Sequence, residues 1–389
     1  MFLNAPGNCP DEPAHMAYVR YMAKTGRLPV FEKSPYWPRY TAFHPPFYYW
    51  ILRQAYRPVA NAPVDRQYQL LRFVSMLLHG LALWWVFLTG RRCFPGDEWA
   101  ANGVLACAAF NPMFACTGAS VSNDVMADVT MAGLVYFGLA FLQDGASRAK
   151  AAGWGLLSAA GACSKASVAG PAAAVWLYLT ARRRFKPVEA LLAAGFALLA
   201  AGPVLWRNWR LYGDPLALAA IYKTEPVAAG FRGLHRWFIS SFESYWGILG
   251  WFYVHTPDGL MRALYWICSF AGLGLLGALR KKKTLEPRTF EFVAGMAVVF
   301  LLEGMFYGIT SMQAHGRYLF IGLAAFMPLM FLGLRFWVNA LPARWRPAVW
   351  TAGFAFGLAL QWATLTKLVN TYYDLNFYVI PGVYNPKGL

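Results

Sequence analysis

Acidic residues are scarce in this sequence, whose 389 residues include 18 Asp and Glu against 35 Lys and Arg, with charged residues making up only 14%. Soluble domains carry about 25% charged residues, so the composition excludes an ordinary soluble protein. Hydrophobic residues make up 58% and aromatic residues 17%, which is typical of a polytopic membrane protein. The net charge of +17 does not indicate a nucleic-acid partner, because the Lys and Arg stand mostly at the ends of apolar runs.

Signatures of several common chemistries are absent. The six cysteines lack the paired spacing of a disulfide framework or a metal knuckle, so we interpret them as small core residues. No Walker loop, GxSxG elbow or HExxH zinc motif occurs. Energy for a reaction must therefore arrive inside an activated substrate. Residues 1–10 also lack the basic start and apolar run of a signal peptide, so spanning helices must direct targeting.

Ten apolar segments are long enough, or nearly so, to cross a membrane, which takes about 20 residues. The predicted fold is an all-α polytopic bundle of about ten transmembrane helices. The fourth and fifth segments are short, which suggests two half-depth helices meeting at Ser164 and Lys165. The segments lie at 68–90, 99–118, 124–143, 151–164, 167–181, 187–207, 259–279, 289–309, 317–335 and 346–365.

Basic clusters set the orientation, since those near residues 91, 150, 183, 281 and 344 all fall on one side, which the positive-inside rule makes cytoplasmic. We predict a bacterial inner-membrane protein with two parts, an external loop over 1–67 with two interfacial helices, and a helix bundle over 68–389 with an external loop at about 208–258. Both ends then lie outside, yet no signal sequence is present to carry the first 67 residues across. We therefore expect that a first helix preceding Asp11 is missing from this sequence.

An acidic motif, Asp11 to His15, opens the outer face. Asp11 suits the cap of a short surface helix that has Pro13 in its first turn and ends at Gly26. We expect one of Asp11 and Glu12 to organise this helix and the other to do chemistry. The helix is amphipathic and predicted to lie on the bilayer. Its interfacial side chains would be Tyr18, Tyr21 and Met22.

A second surface element begins at His44-Pro45-Pro46 and continues into an aromatic run with Tyr48 and Tyr49. Each proline bars the residue before it from a helix, so the element starts there. Taken alone, this aromatic run favours an interfacial belt at headgroup level over a substrate site.

Polar residues recur at the predicted outer ends of later segments. Asn123 and Asp124 open the third segment, where Asp124 suits a helix cap better than a catalyst. Arg207 ends the sixth, where an arginine can simply extend to the interface. Lys165 is flanked by apolar half-helices, and an ionisable residue in that setting is a functional candidate. Glu303, inside the eighth segment, is predicted to hydrogen-bond a neighbouring helix rather than to join the site.

Aromatic and basic groups mark the last outer connections. Trp246 lies among aromatics and glycines that could stack on a sugar ring or an isoprenoid, or lie among headgroups. The connection over 313–318 brings together an amide, an imidazole, a guanidinium and a phenol. Arg317 is a candidate phosphate clamp, with a headgroup-facing cation as the alternative. The four polar side chains are Gln313, His315, Arg317 and Tyr318.

These groups suit transfer of a sugar from a lipid phosphate to a hydroxyl. The phosphate leaves without being protonated, so one carboxylate base suffices, unlike the pair in a glycosidase. Fixed cations stabilise the charge that develops on the departing phosphate. The candidate donors of that stabilisation are Lys165, Arg207, His315 and Arg317.

Four motifs together resemble the GT-C superfamily of membrane glycosyltransferases, and more narrowly its bacterial branch related to protein mannosyltransferases and lipid A aminoarabinose transferases. The similarity follows motif order over nearly the whole chain. The motifs are Asp11-Glu12-Pro13-Ala14-His15, His44-Pro45-Pro46-Phe47-Tyr48-Tyr49, Ser122-Asn123-Asp124 and His315-Gly316-Arg317-Tyr318-Leu319-Phe320.

The resemblance implies inverting transfer at the outer membrane face from a polyprenyl-phosphate sugar to a glycan, lipid or protein acceptor. It implies Asp11 as the catalytic base, with Glu12 as the next candidate. Some relatives use a divalent cation at the acidic motif, although Asp11, Glu12 and His15 alone make a weak site for one. The implied substrate-binding residues are His15, His44, Tyr48, Tyr49, Asn123, Asp124, Lys165, Arg207, Trp246, Gln313, His315, Arg317 and Tyr318.

Two other functions fit parts of the sequence. A secondary transporter would line its path with Lys165, Asp124 and Arg317, but no internal repeat is visible and the cytoplasmic half is poor in acids. A lipid-carrier binding or flipping protein would use the same groove without catalysis. Loss of one carboxylate separates the second function from an enzyme, because binding would survive and turnover would not.

Overall fold

A computed structural model describes residues 6–31, 41–184, 186–217, 231–250, 254–282, 285–310 and 315–374. The described residues are almost entirely helical. Their helices are α1 (Glu12–Thr25), α2 (Phe47–Tyr56), α3 (Val64–Cys93), α4 (Glu98–Ala109), α5 (Pro112–Gly118), α6 (Asp124–Asp144), α7 (Arg148–Ala162), α8 (Ala169–Ala181), α9 (Pro187–Tyr212), α10 (Phe231–Gly247), α11 (Asp258–Arg280), α12 (Pro287–Thr310), α13 (Leu323–Ala340) and α14 (Arg346–Asp374). Strands β1 (Ile248–Leu249) and β2 (Val254–His255) pair antiparallel.

The all-α membrane class is confirmed, and each of the ten predicted segments coincides with a helix or a broken helix. Seven helices in the described part of the chain are long and apolar enough to span a membrane. A bent pair, α4 and α5, forms an eighth candidate with a bend of 74°. The two short segments correspond to α7 and α8, which are separated by a 3₁₀ turn at Ala166–Val168.

Helix α6 occupies the centre of the bundle. In its most apolar stretch 89% of the residues are buried, against 28% for α3 and 17% for the last span. The outer helices present leucine and aromatic side chains to their surroundings instead, as a lipid-facing surface requires. Small residues also bring helices close together, since Gly274 on α11 and Gly333 on α13 leave no room for a Cβ at their contact. The first residue of α6, Asp124, is buried as well, at 6% exposure.

Helices α1 and α2 pack on each other, which differs from the prediction for their aromatics. Helix α1 ends at Gly26, whose φ of 69° gives the left-handed cap expected there. The rings of Tyr18 and Tyr49 stack with centroids 3.8 Å apart, and both side chains are fully buried. Met22 and Tyr48 are buried as well. These four side chains therefore pack within the protein rather than lying in the bilayer interface.

Candidate active site

Asp11 lies immediately before α1 and faces Arg317, which is 306 residues later in the chain. Its φ of 62° is in the left-handed region that residues other than glycine seldom adopt. Asp11 occupies the cap position, but its side chain makes no capping hydrogen bond. Its Oδ2 instead accepts a hydrogen bond from Nη2 of Arg317 at 2.7 Å. The side chain is 22% exposed, so this carboxylate can be reached by a substrate.

Glu12, the neighbouring acid, is fully buried and serves as an anchor. It accepts two hydrogen bonds from Arg72 on α3, from Nε at 2.7 Å and Nη2 at 2.6 Å. It also accepts the backbone N–H groups of Val121 at 3.0 Å and Gly7 at 3.1 Å. These four bonds tie the segment before α1 to α3 and to the turn before α6. Glu12 is therefore placed to hold Asp11 in position, with no exposed surface for a substrate.

Arg317 also approaches Asp124, and Asp124 is bound by Lys165. Nε of Arg317 lies 3.7 Å from Oδ2 of Asp124, and Nζ of Lys165 donates to Oδ1 of Asp124 at 2.6 Å. The four side chains alternate in charge in the order Asp11, Arg317, Asp124, Lys165, and their net charge is zero. We call these four side chains the charge cluster. Asp124 is the first residue of α6 and holds two cations, so capping is not its main contact.

The charge cluster is assembled from four separate parts of the chain. Asp11 precedes α1, Asp124 begins α6, Lys165 lies in the break between α7 and α8, and Arg317 lies in a 3₁₀ turn over Gly316–Gly322 before α13. The break leaves Lys165 in an extended conformation, with φ −151° and ψ 126°. An interruption of helical structure therefore places the ammonium group beside Asp124.

Tyr318 covers both cations of the charge cluster. Its ring centroid is 4.9 Å from Nζ of Lys165 and 5.1 Å from Cζ of Arg317, which are cation–π distances. Its hydroxyl accepts a hydrogen bond from Nη2 of Arg317 at 3.2 Å. The ring of Tyr307 on α12 packs edge-on against it, with centroids 4.5 Å apart. Tyr318 thereby limits where the two cations can move.

Two imidazoles from α1 and from the segment before α2 form a neutral wall beside the cluster. The rings of His15 and His44 stack with centroids 5.8 Å apart, and Nδ1 of His15 hydrogen-bonds the hydroxyl of Tyr49 at 2.7 Å. Burial lowers the pKa of His15 to about 4 and the pKa of His44 to about 3. Both rings are therefore uncharged near neutral pH and can give or accept hydrogen bonds without adding charge.

Three more predicted site residues make hydrogen bonds to segments next to the charge cluster. Tyr48 shares a hydrogen bond of 2.9 Å with Ser75 on α3. Nδ2 of Asn123 donates to the backbone carbonyl of Ser164 at 2.9 Å, which fixes the segment carrying Lys165. Nδ1 of His315 accepts the backbone N–H of Arg317 at 3.1 Å, and burial lowers the pKa of this imidazole to about 3. These contacts are positioning contacts.

The remaining predictions lie apart from the cluster or outside the described residues. Arg207 donates from Nη2 to the backbone carbonyl of Pro29 at 2.6 Å, so it holds the segment after α1. Trp246 lines an apolar cavity of about 760 Å³ between α4, α11, α13 and α14. Gln313 lies outside the described residues.

Two buried ionisable residues near the site were not predicted from the sequence. Arg72, on α3, is 1% exposed and binds Glu12; an arginine within an apolar segment is a signal that could have found it. Asp128 lies one helical turn after Asp124, is 3% exposed, and its Oδ2 has no hydrogen-bond partner in the described residues. Glu303, expected to bond a neighbouring helix, likewise has no partner at Oε2 among those residues.

The acidic motif does not present a ligand set for a divalent cation. Asp11 binds Arg317, Glu12 binds Arg72, and Nδ1 of His15 bonds Tyr49. Across the described ranges, no group of three or more His, Cys, Asp or Glu side chains is arranged to hold a metal ion. A cation dependence therefore stays an untested expectation and supplies no step below.

Comparisons with known proteins agree with this architecture. Residues 43–207 match the family model described as dolichyl-phosphate-mannose-protein mannosyltransferase. No curated protein matches the sequence. Among solved structures, ArnT from Cupriavidus metallidurans bound to undecaprenyl phosphate is 18% identical, with a TM-score of 0.55 over 97% of this chain and 72% of that chain.

A second similar structure is the Archaeoglobus fulgidus oligosaccharyltransferase tethered with an acceptor peptide. It is 13% identical, with a TM-score of 0.53 over 96% of this chain and 53% of that chain. The present chain therefore spans about half the length of that relative. Both structures confirm the predicted resemblance at the level of the fold, and the family model matches a segment that makes up less than half of the chain. The chain is a multi-pass membrane protein with this fold.

Proposed function

We propose that this chain, which has the GT-C glycosyltransferase fold, moves a sugar from a polyprenyl-phosphate donor to an acceptor hydroxyl at the outer face of the bacterial cytoplasmic membrane. One observation carries the proposal, namely the charge cluster at one end of the bundle. Its two cations and two carboxylates supply phosphate binding and base chemistry side by side. The relatives support the donor class, since one similar structure contains undecaprenyl phosphate.

Phosphate binding would exchange the partners of the two cations. Arg317 and Lys165 now neutralise Asp11 and Asp124 at 2.7 and 2.6 Å. A lipid phosphate entering the cluster competes with those carboxylates for the same hydrogen-bond donors. Each cation that turns to the phosphate leaves a carboxylate without its partner. Donor binding would therefore produce the free base that the reaction needs.

Asp11 is the proposed base. Its carboxylate is the more exposed of the two in the cluster, at 22% against 9% for Asp124. The acceptor oxygen would attack the anomeric carbon from the side opposite the phosphate, giving inversion. Its proton passes to Asp11 while the bond between that carbon and the phosphate oxygen breaks. The polyprenyl phosphate departs with the bonding electron pair.

The two cations are suited to the charge that this step creates. A phosphodiester donor carries one negative charge, whereas the released phosphate monoester gains a second. Arg317 and Lys165 are 6% and 15% exposed, so little water screens them. Fixed cations in such a site stabilise developing charge more strongly than they would in bulk water. The neutral His15 and His44 would offer hydrogen bonds to the sugar without opposing this balance.

Mass spectrometry of lipid-linked sugars and surface glycans tests the proposal. Cells lacking the protein should accumulate a polyprenyl-phosphate sugar and carry a glycan short by one sugar. The wild-type gene should restore the glycan, while a gene carrying Asp11→Asn should not. Identical glycans with and without the protein, or full rescue by Asp11→Asn at equal protein level, would contradict the proposed function.

A further inference from the structure

Two cysteines from distant parts of the chain meet beside the anchor formed by Glu12 and Arg72. The Sγ atoms of Cys9 and Cys116 lie 3.9 Å apart, although the residues are 107 positions apart in sequence. Cys9 is 2% exposed, and Cys116 on α5 is partly exposed. Among the described residues, the six cysteines are not joined in disulfides.

Cys9 belongs to the same short segment that carries both acids of the opening motif. Its carbonyl accepts the backbone N–H of Glu12 at 3.2 Å, and the N–H of Gly7 binds the Glu12 carboxylate. Cys116 lies on α5, which packs between α3 and α10. A covalent bond between the two sulfurs would therefore fasten the segment bearing Asp11 to the bundle.

We propose that Cys9 and Cys116 are a disulfide-forming site in the mature protein. This inference rests on one element of the proposed function, namely that the charge cluster lies at the outer face of the cytoplasmic membrane. The compartment on that side of the membrane is oxidising. A disulfide needs a sulfur separation of about 2.0 Å. Rotation of a cysteine side chain about its Cα–Cβ bond moves the sulfur by a distance of the size needed to close the present gap of 3.9 Å.

The oxidation would use a protein disulfide of the thiol oxidoreductase class. The partly exposed Cys116 thiolate attacks that disulfide and forms a mixed disulfide, releasing one thiol of the oxidoreductase. The Cys9 thiolate then attacks the Cys116 sulfur, forming the Cys9–Cys116 bond and releasing the second thiol. Two protons leave the protein thiols, and two electrons pass to the oxidoreductase.

The other cysteines provide a matched control. Cys93 ends α3, at the end of that helix opposite to Arg72 and the anchor, and it is buried at 4% exposure. It lies on the predicted cytoplasmic side. A Cys93→Ser change therefore removes a buried thiol of similar environment without touching the proposed pair.

The test is peptide mapping of the full chain, expressed in bacteria with an intact thiol-oxidising system. Thiol exchange is first stopped with acid, and the remaining free thiols are then alkylated. The proposal predicts a peptide joining Cys9 to Cys116 in wild type and in Cys93→Ser, lost on reduction and absent from Cys116→Ser. Reduction should also lower the melting temperature of the detergent-solubilised wild type by roughly 2–6 °C. The melting temperature of Cys116→Ser should not respond to reductant.

Alkylation of both Cys9 and Cys116 in the unreduced wild type would overturn the disulfide, whether or not the chain transfers a sugar. A linked peptide in a protein that leaves lipid-linked sugars unchanged would contradict the transferase function alone. The two proposals therefore fail by different measurements.

Discussion

Ion pairs occur at both ends of the helix bundle, but only those at one end are buried. At the end that carries the charge cluster, the side chains of Arg72 and Glu12 are 1% and 0% exposed. At the opposite end, Arg91 and Glu98 form a pair at 3.0 Å with exposures of 53% and 60%. The chemistry of the paired groups is the same, so the difference lies in how much water reaches them.

Exposed pairs contribute little to stability, whereas breaking a buried pair leaves an unpaired charge in the protein. Buried pairs are costly to assemble, and a chain this poor in acids concentrates three of them, with Arg72, Arg317 and Lys165 as the cations, around one site. One of the three, formed by Glu12, holds the segment. The other two form the charge cluster, where the proposed lipid phosphate would replace one partner.

The largest expected effect comes from breaking the buried anchor. Glu12→Gln removes the charge that balances Arg72 and disturbs four hydrogen bonds, so we expect about 3–5 kcal/mol of destabilisation. The matched change at the exposed end, Glu98→Gln, should cost about 1 kcal/mol or less. Thermal unfolding in detergent and yield of folded protein measure both. Equal losses in the two variants would mean that burial does not distinguish the two ends.

The Asp11→Asn variant distinguishes the role of the charge cluster from that of the Glu12–Arg72 pair. The change keeps shape and leaves Glu12 in place, so the melting temperature should move by only a few degrees. Loss of a general base should lower the transfer rate by about 10²–10⁴-fold. A transfer assay with purified protein checks this. Wild-type turnover would remove Asp11 from the role of base and leave Asp124 as the candidate.

Low pH should lower the stability of the folded protein, because three imidazoles near the charge cluster are buried in their neutral form. The pKa values of His15, His44 and His315 lie near 4, 3 and 3, below the value of about 6.5 expected in the unfolded chain. Their folded forms are neutral, so their contribution to stability is complete above pH 6.5 and is lost as pH falls towards 4 and below.

Each imidazole should contribute about 3 kcal/mol over that range. Unfolding measured between pH 7 and 4 should show this loss, and His44→Gln should reduce it. An unchanged pH dependence in that variant would mean that protonation of His44 in the folded protein does not lower the free energy of unfolding.

Arg317→Ala should weaken binding of a polyprenyl phosphate by about 10–100-fold, the value of a hydrogen bond to a charged group. The control is Arg91→Ala at the exposed end, which should leave binding unchanged. Fluorescence or mass-spectrometric titration of the lipid into purified protein measures both. Equal affinities in wild type and Arg317→Ala would make Arg317 a structural partner of Asp11 only.

The sequence predicted the helices well because apolar runs and their breaks are local features. Ten segments, the interruption near Lys165 and the end of α1 at Gly26 all follow from such patterns. The difference between Asp11 and Glu12 does not, since both stand in one motif. It depends on Arg72 and Arg317, which reach the motif from 60 and 306 residues away.

The predicted position of four side chains on α1 and α2 was wrong for a related reason. Tyr18, Met22, Tyr48 and Tyr49 have the composition of an interfacial belt, yet each is buried in the packing around α1 and α2. Periodicity identifies an apolar face but not what covers it. The family resemblance, which depends on motif order rather than on burial, identified the fold that the structures confirm.

The most direct test of the account is the affinity of Asp11→Asn for a polyprenyl monophosphate, compared with wild type in the same detergent. In this account the Asp11 carboxylate competes with the lipid phosphate for Nη2 of Arg317. Removing its charge should leave binding as tight as in wild type, or tighter, while transfer is lost. Clearly weaker binding by Asp11→Asn would contradict the exchange of partners on which the proposed function rests.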